Sequence, residues 1–131
     1  EVTRVAKPGA LLATWGYGLM QLPLAYQPAV DRFYSKVVGP YWDPERKHID
    51  NSYVDISIPF KELKPSEHFE MTYKWNAESL EGYLNTWSSV GNYIKEKSEN
   101  PVTPFIKELK TKGLPENFPV SFPLFIRLFK L

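Results

Sequence analysis

Two apolar segments constrain the fold of this chain more than any other feature. Residues 10–15 (ALLATW) follow a Pro-Gly pair, and residues 120–131 (VSFPLFIRLFKL) carry apolar side chains on both faces of an extended strand. Strands that are apolar on both faces are typical of sheets covered by helices on both sides. Their two edges also need partners, because open backbone N–H and C=O groups pair with other chains. We therefore expect an α/β fold whose sheet is incomplete within these 131 residues.

Helical spacing and capping residues predict the helices. We expect the last turn of a helix at residues 1–6, a helix over residues 27–38, a helix that Asn76 caps and whose apolar stripe runs from Leu80 to Ile94, and a helix from Pro101 or Pro104 to Gly113. Alternating helices and strands without an internal repeat indicate a single domain over residues 1–131.

Period-two alternation predicts two further strands. These are residues 54–60 and residues 69–75, each with apolar side chains on one face. Pro59 cannot donate to a ladder, so we expect the first of them at a sheet edge. Residues 39–52 (GPYWDPERKHIDNS) are expected to be irregular.

Charge and composition limit the classes of partner. Sixteen basic and 15 acidic side chains leave a net charge of +1, which provides no global attraction to nucleic acid or to an anionic membrane. The chain has no cysteine, so it forms neither a disulfide nor a thiolate metal site. No apolar run is long enough to cross a bilayer. We therefore expect a soluble, cytoplasmic protein that binds neither nucleic acid nor membrane.

Four segments carry a family resemblance. They are residues 2–18 (VTRVAKPGALLATWGYG), 33–51 (FYSKVVGPYWDPERKHIDN), 69–94 (FEMTYKWNAESLEGYLNTWSSVGNYI) and 123–131 (PLFIRLFKL). In this order they resemble the C-terminal half of class I S-adenosylmethionine-dependent methyltransferases of the trans-aconitate methyltransferase-like group. YW-x-PERK-H and YLNTWS are the most specific parts of the resemblance.

The resemblance implies a Rossmann-like fold. Residues 10–15, 69–75 and 120–130 would be the fifth, sixth and seventh strands of a mostly parallel seven-stranded sheet, with capping helices between them. Ala10 stands where these proteins often have a second glycine. The glycine-rich loop and the ribose-binding acid of the family are expected upstream of Glu1. The resemblance thus implies that S-adenosylmethionine serves a full-length parent enzyme, and that this chain alone binds none and is inactive.

The chemistry of methyl transfer indicates which side chains to expect at a site. Transfer from a sulfonium depends on holding the acceptor in line and excluding water. A carboxylate acceptor is ionised at neutral pH and needs no general base, so we predict no catalytic triad. Such an acceptor does need a cationic anchor and an aromatic wall.

Three places in the sequence supply side chains of this kind. Trp15 and Tyr17 follow the first strand, at the edge where open α/β sheets bind ligands. The others are the loop Tyr41, Trp42, Arg46, Lys47 and His48, and Trp87 with Tyr83 and Asn85 nearby. The predicted substrate-binding residues are Trp15, Tyr17, Tyr41, Trp42, Arg46, His48 and Trp87. His68 has no second histidine at ligand spacing, so it is assigned to the surface and no metal is predicted.

Each of these residues has a structural alternative. Trp15 and Tyr17 would then close the top of the core, and Trp87 would be a core residue of its helix. Trp42 would fill the core while the charged residues around it form local ion pairs; these are Asp43, Glu45, Arg46 and Lys47.

Three functions are consistent with the sequence. The preferred one is the substrate-capping half of a methyltransferase that acts on a small molecule, with a carboxylate as the suggested acceptor. The second is a non-catalytic module that binds a small aromatic or apolar ligand. The third is a dimerisation domain that associates through an exposed strand edge, which would make the protein a homo-oligomer.

Overall fold

The computed structural model describes residues 1–65 and 67–131 of the chain. Its helices are α1 (Val2–Val5), α2 (Gln27–Arg32), α3 (Arg46–Asp50), α4 (Ala77–Asn85), α5 (Ser88–Lys97) and α6 (Val102–Thr111). Its strands are β1 (Leu11–Tyr17), β2 (Lys61–Leu63), β3 (Phe69–Trp75) and β4 (Phe118–Lys130). The predicted α/β class is confirmed, as are strands at three of the four predicted places.

The strand β4 holds the sheet together. β1 and β2 both pair antiparallel with it, in the order β1-β4-β2, and β3 also pairs with β4. The β1 ladder runs from Leu11 opposite Lys130 to Tyr17 opposite Leu124. In the described part of the chain, β4 is the one strand neighbour of β1, so the other edge of β1 is open.

The first apolar strand is less covered than the sequence predicts. The side chains of Leu11 and Trp15 are 63% and 68% exposed, so the expectation that this strand is buried on both faces is wrong for the chain as it stands. The physical reason is that one edge of β1 has no strand neighbour among the described residues, and that Leu11 and Trp15, which share a face, are mostly exposed. An incomplete sheet, which the sequence predicts, is what the structure has.

The described residues form two compact units. Unit 1 comprises residues 1–19, 45–71 and 122–131, and unit 2 comprises residues 20–44 and 72–121. Nearly all of the buried apolar side chains belong to unit 2, whereas unit 1 contributes Phe122 and Phe129 to that set. Unit 2 therefore has a helical core of its own, and unit 1 has very little core. The single-domain assignment stays a prediction.

The helix predicted over residues 27–38 changes its pitch part of the way along. α2 continues into a π-helical turn (Phe33–Val37), in which the N–H of Val38 donates to the carbonyl of Phe33 at 3.0 Å. A 3₁₀ turn (Gly39–Tyr41) follows. The wide turn rotates the residues after Phe33 and leads the chain into the loop that carries Tyr41 and Trp42.

The long helix predicted after Asn76 is in fact two helices. Asn76 does cap the first, because its side chain accepts from the N–H of Ser79 at 2.8 Å. The helix then ends because the hydroxyl of Thr86 donates to the carbonyl of Tyr83 at 2.7 Å, and Trp87 takes an extended backbone (ψ 132°). The apolar stripe continues across this break, which is why periodicity alone does not reveal it.

The strand predicted over residues 54–60 does not form. Ser52 and Tyr53 have left-handed backbones (φ 52° and 61°), and the chain continues through turns until the three residues of β2. The guanidinium of Arg127 occupies two of the carbonyl groups in this segment, those of Tyr53 and Ile56. A ladder would need those carbonyls, so the period-two pattern here is misleading.

Gly16 tests how tightly β1 is packed, and Gly82 in α4 provides the comparison. A methyl group at Gly16 would lie 2.4 Å from the ring of Phe125, whereas one at Gly82 in α4 would meet nothing within 4 Å. We expect Gly16→Ala to lower the free energy of unfolding by about 1–3 kcal/mol through overpacking. Gly82→Ala should raise it by about 0.5–1 kcal/mol, because alanine favours the helix.

Urea unfolding of the 131-residue chain measures both changes. Adding Phe125→Leu to Gly16→Ala should recover part of the loss, since it removes the ring atoms in the way. A Gly16→Ala variant as stable as the parent chain would contradict this packing.

Candidate functional site

The end of β1 presents two aromatic side chains toward solvent. Trp15 is 68% exposed and Tyr17 is 45% exposed, and they lie on one face of the strand, two residues apart. The ring of Tyr17 packs edge-on against Phe122, with centroids 5.5 Å apart. The N–H of Gly18, the residue after β1, donates to the carbonyl of Pro123 at 2.9 Å, so the chain is still hydrogen-bonded to β4 where β1 ends. These contacts leave Trp15 available to contact another molecule.

A second group of predicted residues meets within unit 2. Trp87 is buried (8% exposed) and contacts the ring of Trp42, with centroids 5.3 Å apart. Tyr34 and Tyr83 pack edge-on against Trp87 at 5.8 and 5.9 Å. We call these four side chains the Trp87 cluster. Trp87 belongs to the core of unit 2, as its structural alternative expects, and a role of Trp42 and Trp87 as an aromatic wall for an acceptor stays a prediction.

Tyr41 lies next to this cluster in sequence but has different contacts. Its ring packs against Tyr93, with centroids 4.9 Å apart. Its carbonyl accepts from the Nδ2 of Asn92 at 3.0 Å, and the same amide is 3.5 Å from a carboxylate oxygen of Asp43. The loop that carries Tyr41 and Trp42 is thus fastened to α5 by one side-chain amide.

The charged residues of the predicted site lie on α3, in unit 1. Arg46 contacts Asp50 one turn later, with 3.3 Å between Nε and Oδ1, and its side chain is 22% exposed. His48 contacts Asp55, with 2.8 Å between Nδ1 and Oδ2. Burial acts to raise the pKa of Asp55, but hydrogen bonds from His48 and Asn51 outweigh it and hold that pKa below its ordinary value. Arg46 and His48 therefore each have an acidic partner, although neither partner belongs to the cluster of Asp43, Glu45, Arg46 and Lys47 that the structural alternative names.

The structure thus brings the predicted residues together in separate groups. Trp15 and Tyr17 lie at the end of β1, Arg46 and His48 lie on α3, and Trp42 and Trp87 meet inside unit 2. His68 is exposed just before β3. Across residues 1–65 and 67–131, no three His, Asp or Glu side chains lie close enough together to hold a metal ion.

Arg127 organises unit 1 and is missing from the residues that the sequence predicts. Its Nε and Nη2 donate to the two carboxylate oxygens of Glu62 at 2.8 and 3.0 Å. Its Nη1 donates to the carbonyls of Tyr53 and Ile56, and its guanidinium lies 4.9 Å from the ring centroid of Phe129. The side chain is only 12% exposed.

One signal in the sequence points to this role. Arg127 is the only charged residue in the run from Val120 to Phe129, and a charge inside a buried strand needs a partner. The structure supplies that partner as a bidentate carboxylate, which is the geometry that arginine favours. The turn over residues 51–58 is thereby fastened across the face of β1 and β4 that carries Thr14 and Arg127, which are directly opposite in the register.

The fold defined by these elements is that of a methyltransferase, over the part that the chain covers. The chain aligns with a solved structure, "a Putative Type II Methyltransferase from Anaeromyxobacter dehalogenans", with a TM-score of 0.89 and 32% identity, over 98% of this chain and 55% of that one. It is also 32% identical over 139 residues to a Dictyostelium discoideum protein named "Putative methyltransferase", covering 99% of this chain and 52% of that protein.

The chain therefore spans about half the length of each of these two proteins. No protein-family model matches it. Within the described residues, no helix combines the length and the apolar character that crossing a bilayer requires.

The ion pair between Glu62 and Arg127 makes a pH-dependent prediction. The hydrogen bond from Arg127 lowers the pKa of Glu62 below its ordinary value of about 4.5. A folded-state pKa below the unfolded one adds stability above about pH 4.5, and that stability is lost as the pH falls through the folded-state pKa. Glu62→Gln should therefore lower the urea midpoint at pH 7, and this difference should shrink and vanish at acid pH.

Urea titrations of the parent chain and of Glu62→Gln between pH 2.5 and pH 7 measure the effect. Glu116→Gln, at an exposed carboxylate, is the matched control and should leave the midpoint nearly unchanged. A Glu62→Gln effect of equal size at every pH would show that the carboxylate charge is not what Arg127 requires.

Proposed function

We propose that this chain is the C-terminal, substrate-capping part of a methyltransferase that uses S-adenosylmethionine to methylate a small molecule. The observation that carries the proposal is the match of almost the whole chain, at a TM-score of 0.89 and 32% identity, to part of one protein that is described as a methyltransferase. A protein of Dictyostelium discoideum with the corresponding name supports it independently. The two non-catalytic alternatives have no comparable support.

The chain by itself does not fit the cofactor. Binding the ribose of such a cofactor calls for a carboxylate near the ligand edge of the sheet, and the described residues that follow β1 are Gly18, Leu19, Met20, Gln21 and Leu22. Met20 and Leu22 are buried, so they belong to the core of unit 2. We therefore assign the cofactor cradle to residues of a longer protein. When bound, the cofactor supplies the methyl group.

The role of this chain is to position the acceptor and to exclude water. Trp15 and Tyr17 supply exposed aromatic surface at the end of β1, and the Trp87 cluster supplies an apolar wall with little solvent access. Aromatic surface of this kind lowers the local dielectric and favours an in-line approach of the reacting atoms. These are positioning contributions, and none of the side chains needs to take up a proton.

The open edge and uncovered face of β1 are where we place the remaining part of the enzyme. Leu11 and Trp15 expose apolar surface next to unpaired backbone groups, which is the arrangement that an added strand covers. A second copy of the chain, as in the dimerisation hypothesis, would compete for the same edge. The length of the matched proteins favours a further part of one chain as the occupant.

A chimera tests the proposal. The chain is joined to the portion of the Anaeromyxobacter dehalogenans protein that it does not match, and S-adenosylmethionine binding is measured by calorimetry. We expect the chimera to bind the cofactor and the 131-residue chain alone to show no measurable binding. Micromolar binding by the chain alone, or none by a folded chimera, would overturn the assignment.

Two exposed leucines give the chimera an internal control. Leu11 is 63% exposed on β1, and Leu24 is 90% exposed in unit 2. Leu11→Lys should weaken cofactor binding by the chimera, because it places a charge where the second part of the sheet would pack, whereas Leu24→Lys should not. Neither change should lower the stability of the chain alone appreciably, since both side chains are already in water.

The acceptor class rests on Arg46, which we keep as the cationic anchor for a carboxylate. Its Nε lies 3.3 Å from Oδ1 of Asp50, which is longer than the roughly 2.7–2.9 Å of a close charge-assisted hydrogen bond, and we propose that an incoming carboxylate competes with Asp50 for the guanidinium. In an active chimera, Arg46→Gln should raise KM for acidic acceptors about tenfold or more and leave cofactor affinity unchanged. An unchanged KM would assign Arg46 to structure and remove the carboxylate from the proposal.

A further inference from the structure

A pocket opens on the surface of unit 2, between the end of α2 and the first half of α6. Its volume is about 190 Å³. The floor is formed by Phe33 and Phe105, and the walls are formed by Val37, Tyr93 and Pro104. We call it the α2–α6 pocket. None of the residues assigned above to the methyl acceptor lines it.

The floor of the α2–α6 pocket suits a flat ring. Phe33 and Phe105 stack with centroids 4.4 Å apart and planes inclined by 23°, and both are almost fully buried. Because both rings are packed in the core, the apolar surface that they contribute to the pocket does not have to reorganise when a ligand binds. An apolar cavity of about 150 Å³ holds a benzene molecule, so a pocket of this volume accommodates one ring and a short substituent.

Arg32 and Glu108 are the charged residues that line the pocket, and Lys112, which does not line it, pairs with Glu108 as a second cation. Glu108 accepts from Arg32 through one carboxylate oxygen and contacts Nζ of Lys112 through the other at 2.9 Å. Hydrogen bonds from both cations hold the pKa of Glu108 below its ordinary value, so it is ionised at neutral pH. Two cations therefore share one carboxylate, which leaves a net charge of +1 around Glu108.

Arg32 is the cation that a ligand in the pocket reaches. It lines the pocket, and its side chain is 52% exposed. Its contact with Glu108 uses Nη2, whereas a guanidinium has five N–H donors in a fork that matches a carboxylate. Lys112 keeps Glu108 paired if Arg32 turns toward a ligand.

We propose that the α2–α6 pocket binds a small aromatic carboxylate, with the ring on Phe33 and Phe105 and the carboxylate on Arg32. A neutral ring lacks the contact with the guanidinium, and a small anion without a ring leaves the apolar floor exposed. The binding test does not depend on the proposed methyl transfer, because it requires no cofactor and none of the residues that line the pocket is assigned to the methyl acceptor.

Three probes separate these contributions in the 131-residue chain. The ¹⁵N-labelled chain is titrated with benzoate, with benzyl alcohol, which has the ring but no charge, and with acetate, which has the charge but no ring. Benzoate should give saturable shifts confined to the backbone amides near Arg32–Val37 and Phe105–Glu108. It should bind about tenfold more tightly than either other probe. Equal affinity of benzoate and benzyl alcohol, or shifts centred elsewhere, would overturn the proposal.

Matched variants then test the residues. Arg32→Gln should lower benzoate affinity about tenfold, to the level of benzyl alcohol, and leave benzyl alcohol binding unchanged. Arg4→Gln removes an exposed arginine that pairs with Glu1 in unit 1, and it should have no effect. Unchanged benzoate affinity in Arg32→Gln would refute the role of the guanidinium.

A second variant tests the pocket without altering its charge. Val37→Phe adds bulk to the pocket wall and should abolish binding of both benzoate and benzyl alcohol. Circular dichroism and the urea midpoint establish that each variant is folded. A folded Val37→Phe chain that binds benzoate as the parent does would show that the ligand lies outside the α2–α6 pocket.

Discussion

The antiparallel pairing of β4 with its neighbours is the interaction on which the rest of the structure depends. β4 is the strand that β1, β2 and β3 all pair with, and it begins in unit 2 and ends in unit 1. Side chains alternate between the two faces, so a slip of one residue would move Arg127 to the opposite face. Arg127 would then lose Glu62 and the carbonyls that it holds. The register of β4, the Arg127–Glu62 ion pair and the turn over residues 51–58 therefore depend on one another.

The two units differ in how well they are covered. Unit 2 buries a full set of apolar side chains, including Leu80, Leu84 and Leu109. Unit 1 has Phe122 and Phe129 in its buried set and leaves much of β1 in water. Full burial of a large apolar side chain contributes about 1.5–3 kcal/mol, so covering β1 would add several such contributions. The chain spans about half the length of the two proteins described above. Under the proposed function, the remaining part of the enzyme would cover β1 and contribute this stabilisation.

The elements that were predicted correctly are those whose signal lies in a few neighbouring residues of the sequence. The Asn76 cap and the glycine at the end of α6 are read directly from residue types, and the strands at 69–75 and 120–130 follow from alternation and apolar runs. The failures have non-local causes. Residues 54–60 alternate like a strand, but Arg127, more than 60 residues later, donates to the carbonyl of Ile56 in this segment and to that of Tyr53 just before it. The break at Trp87 lies inside an unbroken apolar stripe, so only side-chain hydrogen bonds reveal it.

The sequence allowed residue types to be chosen for a candidate site, but it did not reveal how those residues are arranged. Aromatic residues could be assigned to a wall from their spacing, and Trp42 and Trp87 do meet. Spacing does not show which other rings join them. Phe33, assigned from the sequence only to a helix face, lies 6.2 Å from Trp87 and 4.4 Å from Phe105, so one ring borders both the Trp87 cluster and the α2–α6 pocket. Phe33 is 2% exposed, and a close-packed interior transmits displacement instead of absorbing it. The Trp87 cluster and the α2–α6 pocket therefore share one buried side chain, which their separate spacings in the sequence do not reveal.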